Sequence, residues 1–376
     1  MAGQLGSNTI AAIGVGCRFP TLFNYTVGGL ATCASIMIAQ YSGTKDQKGI
    51  NRSFYANGYF GILLTLLFMV TGILIPDKIV LIFSTDPNVI PLAAKNLRIV
   101  SFGKIPIPVI MLLSSVLRNT GKVKYPMYAG ICTVFFKGQK DAEFVITNTI
   151  KVPMSFMKKT FFIALPIIAN EFLWSFGETI FGVIYGRMGT SETTAMTLTY
   201  PIQGITVGLF SGISAAAAIM VGTALGEDQE EKAYHVSKQF LKIGVVGTVC
   251  LGIALAYLSQ FYVRMYKISE HEANMTIHLL CIFALFLCIK VSNMILSGGI
   301  LKSGGKTKYV LYIDIMGTWL VGIPLGFLTA FQFHLPIEMV YFCITTEELV
   351  RLTLGICLFR KRIWMNNITK ENNVVY

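Results

Sequence analysis

Charge is what this sequence has least of. Asp, Glu, Lys and Arg make up 13% of its 376 residues, about half the share of an ordinary soluble domain. A soluble fold of this size needs far more polar surface. Histidine is scarce too: His235, His271, His278 and His334 lie far apart, without ligand spacing. The eight cysteines (Cys17, Cys33, Cys132, Cys250, Cys281, Cys288, Cys343 and Cys357) are scattered through apolar runs with no CxxC pair. They read as buried thiols, neither disulfides nor metal ligands. GxSxG, HExxH, Walker A and GxGxxG patterns are missing, which leaves an enzyme, or an ATP-driven pump in this chain, without a basis.

What is present is apolar sequence, 54% of the chain. Runs of about 20 residues, long enough to cross a bilayer as a helix, recur. Crossings are expected at 10–40, 54–75, 92–117, 160–185, 195–225, 239–262, 273–301, 308–331 and 336–359, nine in all. They are helices because backbone groups in lipid must bond internally, and several carry proline (Pro106, Pro108, Pro166, Pro201, Pro324). The first run is too long for a signal peptide and has no basic region before it. The net charge of +12 comes from loops. One alternating set (41–53, 118–125, 137–159, 226–242, 302–308 and the tail from Arg360) holds 21 Lys and Arg residues, and the opposite set holds four: Lys78, Arg187, Arg264 and Lys267. The positive-inside rule therefore puts the first set and the C-terminus in the cytoplasm, and no nucleic acid is needed as a partner. That parity requires the apolar segment 126–136 not to cross, and its length is too short for crossing unaided.

Polar loop blocks occur twice at a nearly fixed offset. Leu117-Arg118-Asn119-Thr120-Gly121-Lys122-Val123-Lys124-Tyr125 recurs as Leu301-Lys302-Ser303-Gly304-Gly305-Lys306-Thr307-Lys308-Tyr309, 184 residues on. Ile36-Met37 and Gly43 correspond to Ile219-Met220 and Gly226, and Gly3-Gln4-Leu5-Gly6 lines up with Gly186-Arg187-Met188-Gly189. Matching loops fall on the same side, so this is a parallel repeat, and transporters bind at the interface of such halves. The expected fold is an all-α polytopic membrane protein with two six-helix-type lobes. Residues 1–136 form an N-terminal lobe with about three helices, 137–159 a basic cytoplasmic linker, 160–362 a six-helix C-terminal lobe, and 363–376 a cytoplasmic tail. The first half is expected to lack an opening helix and one helical pair.

Beyond composition, Leu165-Pro166-Ile167-Ile168-Ala169-Asn170-Glu171-Phe172-Leu173-Trp174-Ser175, running on to Ile184-Tyr185-Gly186-Arg187-Met188-Gly189, resembles the seventh helix of the multidrug and toxic compound extrusion (MATE) family. Gly226-Glu227-Asp228 with Glu230-Glu231-Lys232-Ala233 resembles the loop after that family's eighth helix. Leu301 to Lys308, with Trp319 and Ile323-Pro324-Leu325, resembles the loop before the eleventh helix and that helix itself. The resemblance covers nearly the whole chain and rests on the order and duplication of its blocks. It implies twelve helices in two lobes and export of cationic or amphipathic drugs against inward Na+ or H+. The first helix, which often carries a coupling acid in the family, and the fifth and sixth helices are expected to be missing here.

Ion coupling needs an ionisable group inside the membrane, and such groups are costly there. Glu171 and Glu178 are two turns apart on one face of the helix over 160–185, with Trp174 and Ser175 beside them. This pair is the expected Na+ or H+ site, its aromatic neighbour suited to a lipophilic cation. The blander reading has Glu171 bonded to Asn170 or a neighbouring helix. Lys290, Ser292 and Asn293 lie within 273–301, and Lys290 needs a partner, for which Glu171 and Glu178 are candidates. Glu347 and Arg351 are spaced for an i,i+4 ion pair, and Asp314 reads as either lobe-facing or interfacial, the second reading preferred. The expected site is thus Asn170, Glu171, Trp174, Glu178, Lys290 and Asn293, with Glu171 and Glu178 as Na+ ligands and no cofactor. The expected function is antiport of organic cations by a monomer in a bacterial inner membrane. The alternatives are a shortened, non-transporting paralogue and an exporter of a lipid-linked or amphipathic metabolite.

Overall fold

The computed structural model describes residues 16, 18–83, 89–122, 124–125, 152–266 and 269–370. Residues 3–6 of the repeat, the short segment 126–136 and linker residues 137–151 fall outside these. The described residues are helical almost throughout: α1 (Arg18–Gly43), α2 (Gln47–Leu74), α3 (Pro76–Phe83), α4 (Val89–Phe102), α5 (Ile107–Asn119), α6 (Met154–Met188), α7 (Thr190–Gly226), α8 (Glu230–Val263), α9 (Glu270–Leu301), α10 (Lys308–Gln332), α11 (Ile337–Thr345) and α12 (Glu347–Arg360). Seven of them are long and apolar enough to cross a membrane, and α4 with α5, bent by 48°, make an eighth if the pair is one broken span and not a re-entrant loop. The break falls at Gly103 to Pro106, where proline forbids the next backbone bond. The crossing expected over 336–359 is divided between α11 and α12 at Thr346.

Several hydroxyl side chains inside these helices are satisfied locally. Thr26, Ser53 and Thr65 donate to carbonyls one turn back at 2.7, 2.8 and 2.7 Å, which removes the cost of a bare hydroxyl in lipid. The start of α9 is fixed by a capping box. Ser269 Oγ accepts from the Glu272 amide at 3.2 Å, and the Glu272 carboxylate accepts from the Ser269 amide at 3.0 Å.

The chain divides into two compact units. Unit 1 comprises residues 1–38 and 46–172. In it, α5 binds α1 through Asn119 Nδ2 to Ser35 Oγ at 2.8 Å, and Cys33 of α1 packs beneath the Thr160 carbonyl of α6. Unit 2 comprises residues 39–45 and 173–376. Its core runs from Phe181 and Ile184 through Leu279, Leu287 and Ile295 to Val340 and Ile344. The segment after α12 belongs to this core. Trp364 stacks on Phe359 at 5.8 Å, and Gln40 Nε2 donates to the carbonyls of Ser303 and Asn366 at 2.7 and 3.1 Å.

The duplication is visible in local backbone conformation. Gly121 and Gly305, equivalent at an offset of 184, have φ of 78° and 76°. Lys45 and Asp228, equivalent at 183, have φ of 55° and 58°. Non-glycine residues are uncommon in this left-handed region, so agreement at two separate turns reflects a common ancestor of the two halves.

The cysteines depart from expectation. Of the six described, Cys33 is buried, Cys288 and Cys343 are half-buried, and Cys250, Cys281 and Cys357 are exposed. An apolar run can face lipid as readily as a core, so thiols in such runs need not be interior.

Candidate functional site

The helices of unit 2 lose regular geometry in four places; one, the π-helical end of α10 over Leu328–Gln332, stands away from charge, and the other three lie beside charged residues. The end of α9 is a π-helix over Met294–Leu301, directly after Lys290 and Asn293. The middle of α10 is a π-helix over Ile315–Gly322, directly after Asp314. The break between α11 and α12 immediately precedes Glu347 and Glu348. Such π-segments recur at functional sites because they re-aim side chains and free carbonyls. Here Ser214 Oγ of α7 donates to the carbonyl of Met294 at 2.8 Å.

These irregularities gather six charged side chains. Glu348, 3% exposed, is the best-served. Its Oε1 accepts from Lys290 Nζ at 3.2 Å. Its Oε2 accepts from Asn293 Nδ2 at 2.7 Å and lies 3.6 Å from Arg351 Nη1. Arg351 also pairs with Asp314 and lies 3.9 Å from Glu347 Oε1. Glu347 Oε2 is buried without a hydrogen-bond partner among the described residues. It points at Gly322, where a Cβ would collide with it. Glu178, exposed on α6, lines the same cavity as Lys290, Glu347 and Glu348, together with Tyr185, Gln203 and Tyr341. Its carboxylate has no ion-pair partner among the described residues. The cavity holds about 60 Å³. Drug-sized ligands need roughly 300–1,000 Å³, so this space suits water, a proton carrier or a small ion.

Four carboxylates (Glu178, Asp314, Glu347, Glu348) thus share two cations (Lys290, Arg351). With all four ionised, the carboxylates would outnumber these two cations; the buried member without a hydrogen-bond partner among the described residues is Glu347, and Glu178 is exposed. Among the described residues no three His, Cys, Asp or Glu side chains converge as a metal-ligand set.

The expected site residues are distributed unevenly. Glu178, Lys290 and Asn293 come together in unit 2. Trp174 is also in unit 2, on the same helix as Glu178. Asn170 and Glu171 belong to unit 1, where the Glu171 side chain packs against Gly29 of α1. None of Asn170, Glu171 and Trp174 is without a partner. Two readings are corrected. Lys290 pairs with Glu348 and with neither Glu171 nor Glu178, because α12 brings an acid against α9. Asp314 is not interfacial: it is 8% exposed and paired with Arg351. The Glu347–Arg351 pair exists but is the longest of the Arg351 contacts. Glu348 was the residue that sequence reasoning undervalued, and its one signal was the Glu-Glu-x-x-Arg run inside an apolar segment.

Comparison with known proteins gives a consistent answer. A model of the MatE family matches residues 1–137 and 166–328. The chain is 23% identical to a probable multidrug resistance protein, NorM, of Photorhabdus laumondii over 46% of its length and 38% of that protein. It is 20% identical to the uncharacterized transporter YisQ of Bacillus subtilis over 97% of its length and 89% of YisQ. Among solved structures, a MATE protein in the bent conformation superposes with a TM-score of 0.84 at 16% identity, covering 96% of this chain and 89% of that one. The eukaryotic MATE transporter AtDTX14 gives 0.78 at 16% identity, covering 98% and 91%. At these identities the superpositions establish the fold alone.

Proposed function

The chain belongs to the MatE family of multi-pass membrane transporters, and from that premise we propose that it exports small cationic or amphipathic compounds by antiport, with the coupling ion taken by carboxylates of unit 2. The observation that carries this reading is the unbalanced charge beside the cavity. Among the described residues Glu178 has no ion-pair partner, and one oxygen of the buried Glu347 has no hydrogen-bond partner. An ionisable group in that position is expensive unless a transported ion completes it. Coupling then follows from linkage: whatever binds these carboxylates favours one conformation of the carrier, and the exported compound favours the other. The cavity of about 60 Å³ supports a role for unit 2 in ion handling, with the exported compound bound elsewhere. The basic loops would face the cytoplasm, following the positive-inside rule.

Ethidium efflux from a pump-deficient bacterial strain tests this. The wild type, Glu178→Gln, Glu347→Gln, Glu171→Gln and empty vector are compared at matched membrane expression. Gradient-dependent efflux that is lost in Glu178→Gln and Glu347→Gln but kept in Glu171→Gln is the expected result. Efflux by the wild type no better than empty vector would overturn export of this class of cation. Loss in Glu171→Gln alone would move the coupling site to unit 1.

A further inference from the structure

The side chain that α9 sends toward the cavity is a cation. Lys290 Nζ lies 3.2 Å from Glu348 Oε1, while the other oxygen of Glu348 is held by Asn293 at 2.7 Å and faces Arg351 at 3.6 Å. Both carboxylate oxygens of Glu348 are therefore engaged by the protein itself. A metal cation entering here would have to displace an ammonium already bound to its best ligand. It would also need several oxygen ligands at close range, as hard cations do, and it would sit beside Lys290 and Arg351, which repel it. A proton has neither need. Glu347 Oε2 is buried, has no hydrogen-bond partner among the described residues and ends against Gly322. One hydrogen added to that oxygen neutralises the carboxyl without any new ligand, and the cavity beside it has room for the water that delivers it.

We propose that Lys290 is a tethered counter-ion that occupies the place a metal cation would take in this cluster, so that the site exchanges protons on Glu347 and is closed to Na+. This rests on the reading of the unit 2 carboxylates as the coupling site. The groups facing Glu347 are Arg351 and Glu348 on α12, Lys290 on α9, Glu178 and Tyr185 on α6, Tyr200 on α7 and Tyr341 on α11, with Asp314 on α10 reached through Arg351. Of these, Lys290 is the one cation whose removal leaves Glu348 and Glu347 together with only Arg351 to balance them. Lys290 is thus a specificity-determining residue.

The test is thermal unfolding of the purified full-length protein in detergent, in NaCl against choline chloride at equal ionic strength. The wild type is expected to unfold at the same temperature in both salts. Lys290→Met is expected to gain a saturable Na+-specific rise of about 2–4 °C, and Lys290→Met with Glu347→Gln is expected to lose it. Lys290→Gln keeps a hydrogen-bonding group against Glu348 and serves if the methionine variant does not fold. In parallel, ethidium movement is measured in proteoliposomes driven by a pH gradient or by a Na+ gradient. A Na+-specific shift in the wild type, or none in either lysine variant, overturns the role of Lys290 whatever the transport result. A Na+ response confined to the lysine variants supports it, even if ethidium is not carried and the substrate reading fails.

Discussion

Replacing Arg351 with methionine should be the most damaging single change in the charge cluster. Its guanidinium is 11% exposed, pairs with Asp314, and lies 3.6 and 3.9 Å from Glu348 and Glu347. Its aliphatic stem packs against Gly317 on the π-helical part of α10. Methionine keeps most of that packing and removes only the charge. What remains is Asp314 without its Arg351 pair and Glu347 without its nearest cation, while Glu348 keeps Lys290 and Asn293. Removing one partner of a buried pair costs about 3–5 kcal/mol, because the other charge is left uncompensated. At about 2–4 °C per kcal/mol for a unit of roughly 200 residues, the apparent unfolding temperature should fall by roughly 6–20 °C. Intrinsic fluorescence of the purified protein during a fixed-rate thermal ramp measures this. The double variant Arg351→Met with Asp314→Asn should recover a substantial part of the loss, since it removes both charges of the pair. An Arg351→Met protein unfolding within about 2 °C of the wild type would refute the argument that this pair is buried and unsolvated.

Three further outcomes follow from other parts of unit 2. Gln40→Leu removes hydrogen bonds to the Ser303 and Asn366 carbonyls and the acceptor of the Ile368 amide at 2.7 Å; each stranded group costs about 1–3 kcal/mol, and the segment 362–370 should become sensitive to limited proteolysis. Lys370, and after it Asn367, hold the Asp228 carboxyl below its ordinary value through hydrogen bonds. A depressed carboxyl stabilises above its unfolded pKa of about 3.9 and loses that contribution as pH falls through the folded value. Attachment of Lys370, followed by hydrogen exchange at 367–370, should thus be constant from about pH 5 upward and weaken only in acid. Gly43 and Gly226, equivalent in the repeat, press on the carbonyls of Thr223 and Gln40, themselves equivalent positions. Valine at either should cost about 1–3 kcal/mol or more through overpacking, and the two variants should lose folded protein in membrane extracts to a similar extent.

Much of the frame was legible because polar loop blocks are dense in information. The duplicated LRNTGKVKY and LKSGGKTKY segments place Gly121 and Gly305 at matching left-handed turns, as the structure shows. The need of Lys290 for a partner was legible from its depth. Its partner was not, since Glu348 lies 58 residues away and sequence spacing carries no signal over that distance. Asp314 misled for a related reason. Six residues into α10 is about 9 Å from the helix start, which reads as interfacial until Arg351 is found opposite. The division at Thr346 has no proline or glycine to announce it, and helix continuity was therefore assumed. Burial of the cysteines failed because a lipid-facing surface and a protein core are equally apolar.

The charge cluster and the irregular helices are best understood as one feature. In a bilayer, non-α backbone is tolerated only where protein or a cavity meets its freed groups, and buried charges are tolerated only where partners converge. Both conditions hold in the interior of unit 2, where the hydroxyl of Ser214 caps the π-segment of α9 and where Asp314, Glu348, Lys290 and Arg351 pair. The repeat shows what was changed to build this. At the offset of 184, Pro106 corresponds to Lys290. In the first half that position ends the break between α4 and α5, a 48° bend. In the second half the helix runs through it and presents an ammonium to Glu348. Equivalent positions of the repeat therefore differ, one ending a bend between two helices and the other supplying the cation of a buried network. Restoring proline at Lys290 should break α9, strand Glu348 and destroy the network. A lysine at Pro106 would face no comparable set of acids, because the helices of unit 1 that pack against α5, α1 and α2, carry no Asp or Glu within their spans.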